Sequence, residues 1–201
     1  MNIFEGRKMT RVETTKLLEQ LLVNQYFSGM GKHWASEVSV DPWGTNGKRV
    51  DFMQFSPENQ MSISGIEKGI FTCYEIKSCK EDVYSGNGLN FLGEKNYIVT
   101  TMECYKDILP DLRGNKFHKH LQECFPESSN HFGIMVAVPK WREAVDEFED
   151  PTPLNKELDQ WKLSIVLPCR NGPRYRSTTE LLFCMLRSGR QEERKNEHTK
   201  S

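Results

Sequence analysis

Two short stretches that alternate like strands yet carry charge restrict this chain more than any other feature. Glu75-Ile76-Lys77 follows the aromatic, β-branched and small residues of Phe71-Thr72-Cys73-Tyr74. A period of two puts Glu75 and Lys77 on one face of a strand and Ile76 on the other. Upstream, Val50-Asp51-Phe52 places an acid between two apolar residues that face the opposite side. A carboxylate and an acid-x-lysine pair projecting from neighbouring strands suit metal-dependent hydrolysis. Two carboxylates hold a hard divalent cation through oxygen, and the ammonium orients or deprotonates an attacking water.

The surrounding pattern supplies a sheet to carry these residues. Thr10-Arg11-Val12-Glu13 has the form of a capping box and opens a helix to about Tyr26, with Leu17, Leu18, Leu21 and Leu22 as its apolar side. Glu13 and Glu19 are its candidate site acids, and neither falls cleanly on that side. Strands are predicted over residues 33–40 and 48–55, with a turn rich in Pro, Gly and Asn between them. After a loop over 57–64, a third strand ends at Lys77 or Ser78, so the three form a meander. The Gly- and Asn-rich residues 85–94 read equally as a surface loop or as one that touches a nucleic-acid backbone. Residues 96–101, 131–138 and 161–167 are further strands. A helix or turn over 103–109 is expected to stop at Pro110, and 116–124 to form a short basic, solvated helix. The acidic residues 143–150 read as a surface excursion or linker. Ser177-Thr178-Thr179-Glu180 has the form of a second capping box, and Arg170, Arg174, Arg176, Arg187 and Arg190 bracket the helix it opens. They are candidates for a phosphate-facing patch or for simple solubilisation.

At 201 residues the chain reads as one domain over residues 1–190 with a disordered polar tail over 191–201. Hydrophobic content of 37% against 27% charged residues is a soluble balance. No apolar run approaches the roughly 20 residues of a membrane span, and the N-terminal residues carry no signal-peptide apolar core. A cytoplasmic location without membrane association is therefore expected. A net charge of −1 gives no global nucleic-acid signature, so any phosphate contact must use local clusters of the 27 Lys and Arg residues. Six cysteines lack a Cys-x-x-Cys pair, which favours free thiols, and His118, His120 and Cys124 fit no common zinc spacing. Phosphate-cradling glycine loops, nucleophile elbows and dinucleotide fingerprints are absent.

Glu37, Arg49-Val50-Asp51, Glu75-Ile76-Lys77-Ser78 and Asp82 together resemble the PD-(D/E)XK nuclease superfamily, and within it the MmcB-like branch associated with DNA repair. The likeness covers roughly residues 36–138. Val50-Asp51 stands where the superfamily has Pro-Asp, and residues 85–94 replace a short charged helix. The resemblance implies an α/β fold with a restriction-endonuclease-like core, a mixed central β-sheet flanked by helices. It implies a Mg²⁺-dependent deoxyribonuclease, with Mn²⁺ as a substitute, acting as an endonuclease or exonuclease in DNA repair, recombination or a mobile element. Asp51 and Glu75 would be metal ligands, joined by the Ile76 carbonyl and Glu37. Lys77 would complete the catalytic set, with Ser78 and Asp82 orienting it or a metal-bound water. The implied partner is DNA, and cutting both strands suggests a homodimer. Two alternatives stand beside this: a silent nuclease-fold module that binds DNA or a protein, and a structural Glu75–Lys77 ion pair on an exposed sheet face.

Overall fold

The computed structural model of the protein describes residues 9–28, 32–41, 47–60, 62–126 and 128–198, with 189–198 described by backbone alone. Residues 1–8 lie outside the described residues. Thr10 opens the first helix: its hydroxyl accepts from the Glu13 N–H, and the Glu13 carboxylate accepts from the Thr10 N–H. Both halves of the capping box are therefore formed. The helix, α1 (Arg11–Leu22), buries Leu17, Leu18, Leu21 and Leu22 along one face and runs into a π-helical turn, Val23–Phe27.

One sheet follows, its strands in sequence order: β1 (His33–Val40), β2 (Lys48–Ser56), β3 (Ile70–Ile76), β4 (Lys95–Thr101), β5 (Gly133–Pro139) and β6 (Trp161–Leu167). The first three form the expected antiparallel meander. β3, β4 and β5 are parallel, and β6 returns antiparallel on β5. Parallel neighbours need crossovers rather than hairpins. These are α3 (Lys80–Val83) with the loop behind it, then α4 (Met102–Arg113) with α5 (Lys116–Cys124). Three other helices complete the chain: α2 (Ile63–Glu67) between β2 and β3, α6 (Ala144–Glu149) between β5 and β6, and α7 (Thr178–His198). The fold is α/β, a mixed central sheet flanked by helices.

Strand alternation sorts the core into two layers. Tyr74, Ile76, Tyr97, Val99, Met135 and Ala137 lie with the leucines of α1. Their neighbours Ile98, Ile134, Val136 and Val138 pack on the opposite face against Met102 and Ile108 of α4 and Phe117 and Leu121 of α5. Nearer β1, Val38, Val50 and Met53 meet Leu181, Cys184 and Met185 of α7. No helix among the described residues is long and apolar enough to cross a membrane.

Two local expectations are corrected. Pro110 does not stop α4, which continues to Arg113. Proline forgoes only the N–H bond to the Lys106 carbonyl, and burial of Met102, Cys104 and Ile108 holds the helix on the sheet. The acidic segment is not purely superficial, because Glu147 is buried: it accepts from the N–H and hydroxyl of Thr152 and pairs with Arg142 at 3.0 Å. α7 runs on through residues 191–198, where Gln, Glu, Arg and Lys are strong helix formers. Residues 199–201 lie outside the described residues.

Packing of α1 sets an expected stability contrast. Leu18→Ala removes a fully buried side chain and lowers stability by about 2–5 kcal/mol. Val12→Ala, on the exposed side of the same helix, changes it by less than about 0.5 kcal/mol. Urea denaturation midpoints of the two variants check this.

Candidate active site

The site lies where β2 and β3 part. Pairing of β2 with β3 runs to Phe52 opposite Tyr74 and stops, whereas pairing of β2 with β1 continues to Lys48 opposite Val40. One step past the last β2–β3 pair, Asp51 stands opposite Glu75. On its other side Asp51 is level with Glu37, between the pairs Ser36–Phe52 and Val38–Val50. Three carboxylates from three adjacent strands therefore share one level of the sheet.

The strands are deformed at that level. Glu37 has a left-handed backbone, φ 51°, a conformation that costs a side-chain-bearing residue energy. Ala35 and Val38 both join the α7-side core, as do Val50 and Met53. Each pair is separated by two residues where simple alternation allows one. The pleat slips once in each strand, at Glu37 and at Asp51, and takes both acids out of the core-facing rows.

Side chains replace the ladder beyond the parting. Asp51 Oδ2 accepts from the Ile76 N–H at 2.8 Å. Glu75 is fully buried; its Oε1 accepts from the Asn90 N–H at 3.0 Å, and its Oε2 has no hydrogen-bond partner. Burial above all, and then the charge of Asp51, push the Glu75 carboxyl well above the usual carboxylate range, while Lys77 and the Asn90 N–H pull the other way. Lys77 lies just past the end of β3 and is only 4% exposed, its ammonium donating to the Asn87 carbonyl at 2.6 Å. Its own carbonyl accepts from the Thr100 hydroxyl, and its N–H donates to Val99. The structural ion-pair alternative is thereby corrected: both residues are buried rather than exposed, and the ammonium is bonded to a loop carbonyl, not to Glu75.

That loop, residues 85–90, lies against both groups. Gly86, Gly88 and Leu89 all have positive φ. A Cβ on Gly88 would stand 2.7 Å from Lys77 Nζ and 3.1 Å from Glu75 Oε2, so close approach as well as φ requires glycine there. Asn90 also sends its side-chain amide to the Arg49 carbonyl at 2.9 Å. The Gly and Asn density of this segment was the available signal; that it covers the acid and the lysine was not readable from it.

Ser78 and Asp82 fix the turn that follows. Asp82 Oδ2 accepts from the Ser78 N–H at 3.1 Å and hydroxyl at 3.2 Å, while its other oxygen pairs with Arg11 of α1. Their bonds hold the chain carrying Lys77 rather than the ammonium itself. The helix acids separate cleanly. Glu19 lines a cleft of about 690 Å³ with Glu37, Asp51, Ile76, Lys77 and Arg49, and burial, then Asp51 and Glu37, raise its pKa. Glu13 instead caps α1 and pairs with Lys156 at 2.6 Å, which together hold its carboxyl down to about 2.

Three of the arginines near α7 are engaged in holding the fold. Arg174 pairs with Glu94, Arg176 with Asp41 and Glu180, and Arg187 donates to the Ser39 carbonyl. The side chain of Arg190 lies outside the described residues. Basic residues at the cleft are Arg11, Lys48 and Arg49, with Arg49 paired to Glu37 at 2.6 Å.

Comparison with protein-family models, with curated proteins and with solved structures finds no match to this chain. No group of three or more His, Cys, Asp or Glu side chains among the described residues forms a ready-made metal cage. His120 Nδ1 stands 3.6 Å from Cys124 Sγ and goes no further toward a zinc site. The chemistry of Asp51 and Glu75 nevertheless fits a hard cation: the donors are oxygens, Glu75 Oε2 is buried without a hydrogen-bond partner, and Asp51 lines the cleft.

The raised Glu75 pKa fixes a sign. The folded protein holds this proton more tightly than the unfolded chain, so the group's contribution is fully present below its unfolded pKa of about 4.3 and is lost as pH rises through the folded value. Glu75→Gln therefore stabilises the metal-free protein at pH 7, and the gain shrinks toward pH 4. Urea denaturation at the two pH values in the presence of EDTA measures it.

Proposed function

We propose that the protein is a metal-dependent nuclease that hydrolyses phosphodiester bonds in DNA. One observation carries the reading: a fully buried Glu75 whose Oε2 lacks a partner, level with Asp51 and two residues before Lys77. A buried carboxylate beside a second, half-buried one is a poor arrangement for stability and a good one for holding a divalent cation. Asp51 and Glu75 hold Mg²⁺ or Mn²⁺, the Ile76 carbonyl adds an oxygen, and Glu37 and Glu19 stand at the mouth. Such an ion supplies Lewis acidity and makes a bound water more acidic. Lys77, released from the Asn87 carbonyl, binds a phosphate oxygen or orients the attacking water and offsets the charge developing at phosphorus. Arg11, Lys48 and Arg49 draw the polyanion to the rim by local positive potential, which a chain of net charge −1 must concentrate in this way.

A second reading is a nuclease-fold module that binds DNA or a protein without cutting. The cover over Lys77 and Glu75 favours it, because both groups are bonded to residues 85–90 and neither is open to solvent.

Calorimetry with Mn²⁺ and Mg²⁺, with plasmid and single-stranded circles cut in the same samples, tests the proposal. The wild type binds metal and cuts. Asp51→Asn combined with Glu75→Gln loses both. Lys77→Ala keeps metal binding and loses cutting by roughly a hundred- to a thousandfold. A wild type that binds DNA but neither binds metal nor cuts any strand transfers the assignment to the binding module.

A further inference from the structure

Parting two strands leaves backbone polar groups that must find partners elsewhere. Carried past Phe52 opposite Tyr74, the β2–β3 register sets Arg49 opposite Lys77. Lys77, however, has left the sheet edge, and its N–H bonds to Val99 of β4. The Arg49 carbonyl is taken by the side chain of Asn90, at 2.9 Å. The N–H of the same residue donates to Glu75 Oε1 at 3.0 Å. Asn90 is 8% exposed, so both bonds are made away from water, where a lost partner is expensive.

We propose that Asn90 is the positioning residue of the site, bridging β2 and β3 where their own ladder has ended. The bridge has two consequences. It fixes one oxygen of Glu75, which leaves Oε2 as the buried atom without a hydrogen-bond partner. It also anchors the C-terminal end of residues 85–90, so that the Asn87 carbonyl stays on the Lys77 ammonium. Gly88, between the two, passes so close to Lys77 and Glu75 that the loop has no slack there. Asparagine meets the geometry in a way that its isostere aspartate does not, because a carboxylate cannot donate to the Arg49 carbonyl.

What the positioned groups accomplish rests on the hydrolytic reading; the positioning itself does not, and its test requires neither metal nor DNA. The wild type, Asn90→Asp and Asn90→Ala are acylated with N-hydroxysuccinimidyl acetate under native conditions, and each lysine is followed by peptide mass spectrometry. In the wild type Lys77 reacts far more slowly than the exposed Lys68. In both variants Lys77 alone accelerates, by roughly fivefold, the factor that loss of one net hydrogen bond gives a local opening. Unchanged Lys77 rates, or all lysines rising together as a general loosening would cause, overturn the proposal. Should neither variant fold, amide exchange in the wild type decides. An Asn90 N–H protected as strongly as that of Ile76 supports the bridge, and one that exchanges like an exposed loop amide overturns it. Absence of cutting by a wild type that passes these tests would count against the nuclease reading alone.

Discussion

A carboxylate as deeply buried as Glu75 is several kcal/mol unfavourable in its charged form unless something nearby compensates it. Here compensation is partial: the Lys77 charge and one backbone N–H at Oε1 favour the carboxylate, Oε2 has no hydrogen-bond partner, and the neighbouring acid, Asp51, worsens the balance. The protein must then hold a proton at Glu75 or accept a cation beside it, and the choice between them depends on pH and on metal. The placement of Asp51, the burial of Lys77 and the course of residues 85–90 are all organised around this one group. Folds keep such destabilising arrangements where chemistry requires them.

The sheet tolerates the site because its defects are answered locally. Ending the β2–β3 ladder at Phe52 and Tyr74 would orphan the Ile76 N–H and the Arg49 carbonyl. Asp51 and Asn90 answer them one for one. The slip in the pleat at Glu37 and Asp51 is symmetrical, so the β1–β2 register is the same on either side of it and Val38, Val40 and Val50 still reach α7. Arg187 and Ser188 of α7 bond to the carbonyls of Ser39 and Glu37, which steadies the strand that carries the left-handed residue. On the other side of the sheet, Arg11 at the start of α1 holds Asp82 and through it the turn at Ser78. Strain at the centre is thus surrounded by well-bonded elements.

Local patterns were legible where a residue's neighbours in sequence were also its partners in space. The Thr10 capping box, the leucine face of α1 and strands β1 over residues 33–40 and β6 over residues 161–167 emerged as read, and the other strands emerged with ends shifted by a few residues. The motif acids Asp51 and Glu75 could be placed on neighbouring strands because period two and short turns leave few other arrangements. What escaped depends on long-range partners. Burial of Glu147 is made possible by Arg142 and Thr152. Continuation of α4 through Pro110 depends on a core assembled from distant strands. Asn90 looks like one more loop asparagine until the parting of β2 and β3 gives its amide an acceptor. The choice of Glu19 over Glu13 needed the orientation of α1 over the cleft, which no helical pattern carries.

Where positive charge is held also separates what a residue type suggests from what its position permits. Arginines flanking α7 are the densest basic feature of the sequence, yet Arg174, Arg176 and Arg187 bond to Glu94, Asp41, Glu180 and the Ser39 carbonyl. Cations committed in this way to bonds with the fold contribute little to capture of a polyanion, since binding phosphate would first break those bonds. Arg11, Lys48 and Arg49 differ in where they stand. They come from α1 and β2, the elements that also bring Glu19 and Asp51, and they line the same cleft as the acids. Arg11 and Arg49 are each about 60% exposed while paired to Asp82 and Glu37, and such exposed pairs are weak enough to exchange partners at low cost. An approaching phosphate would therefore meet cations already held at the rim by acids of the site. An ion entering between Asp51 and Glu75 would in turn lower the local negative charge that now opposes such a phosphate. Under the proposed function, metal and polyanion binding at this cleft would therefore reinforce each other.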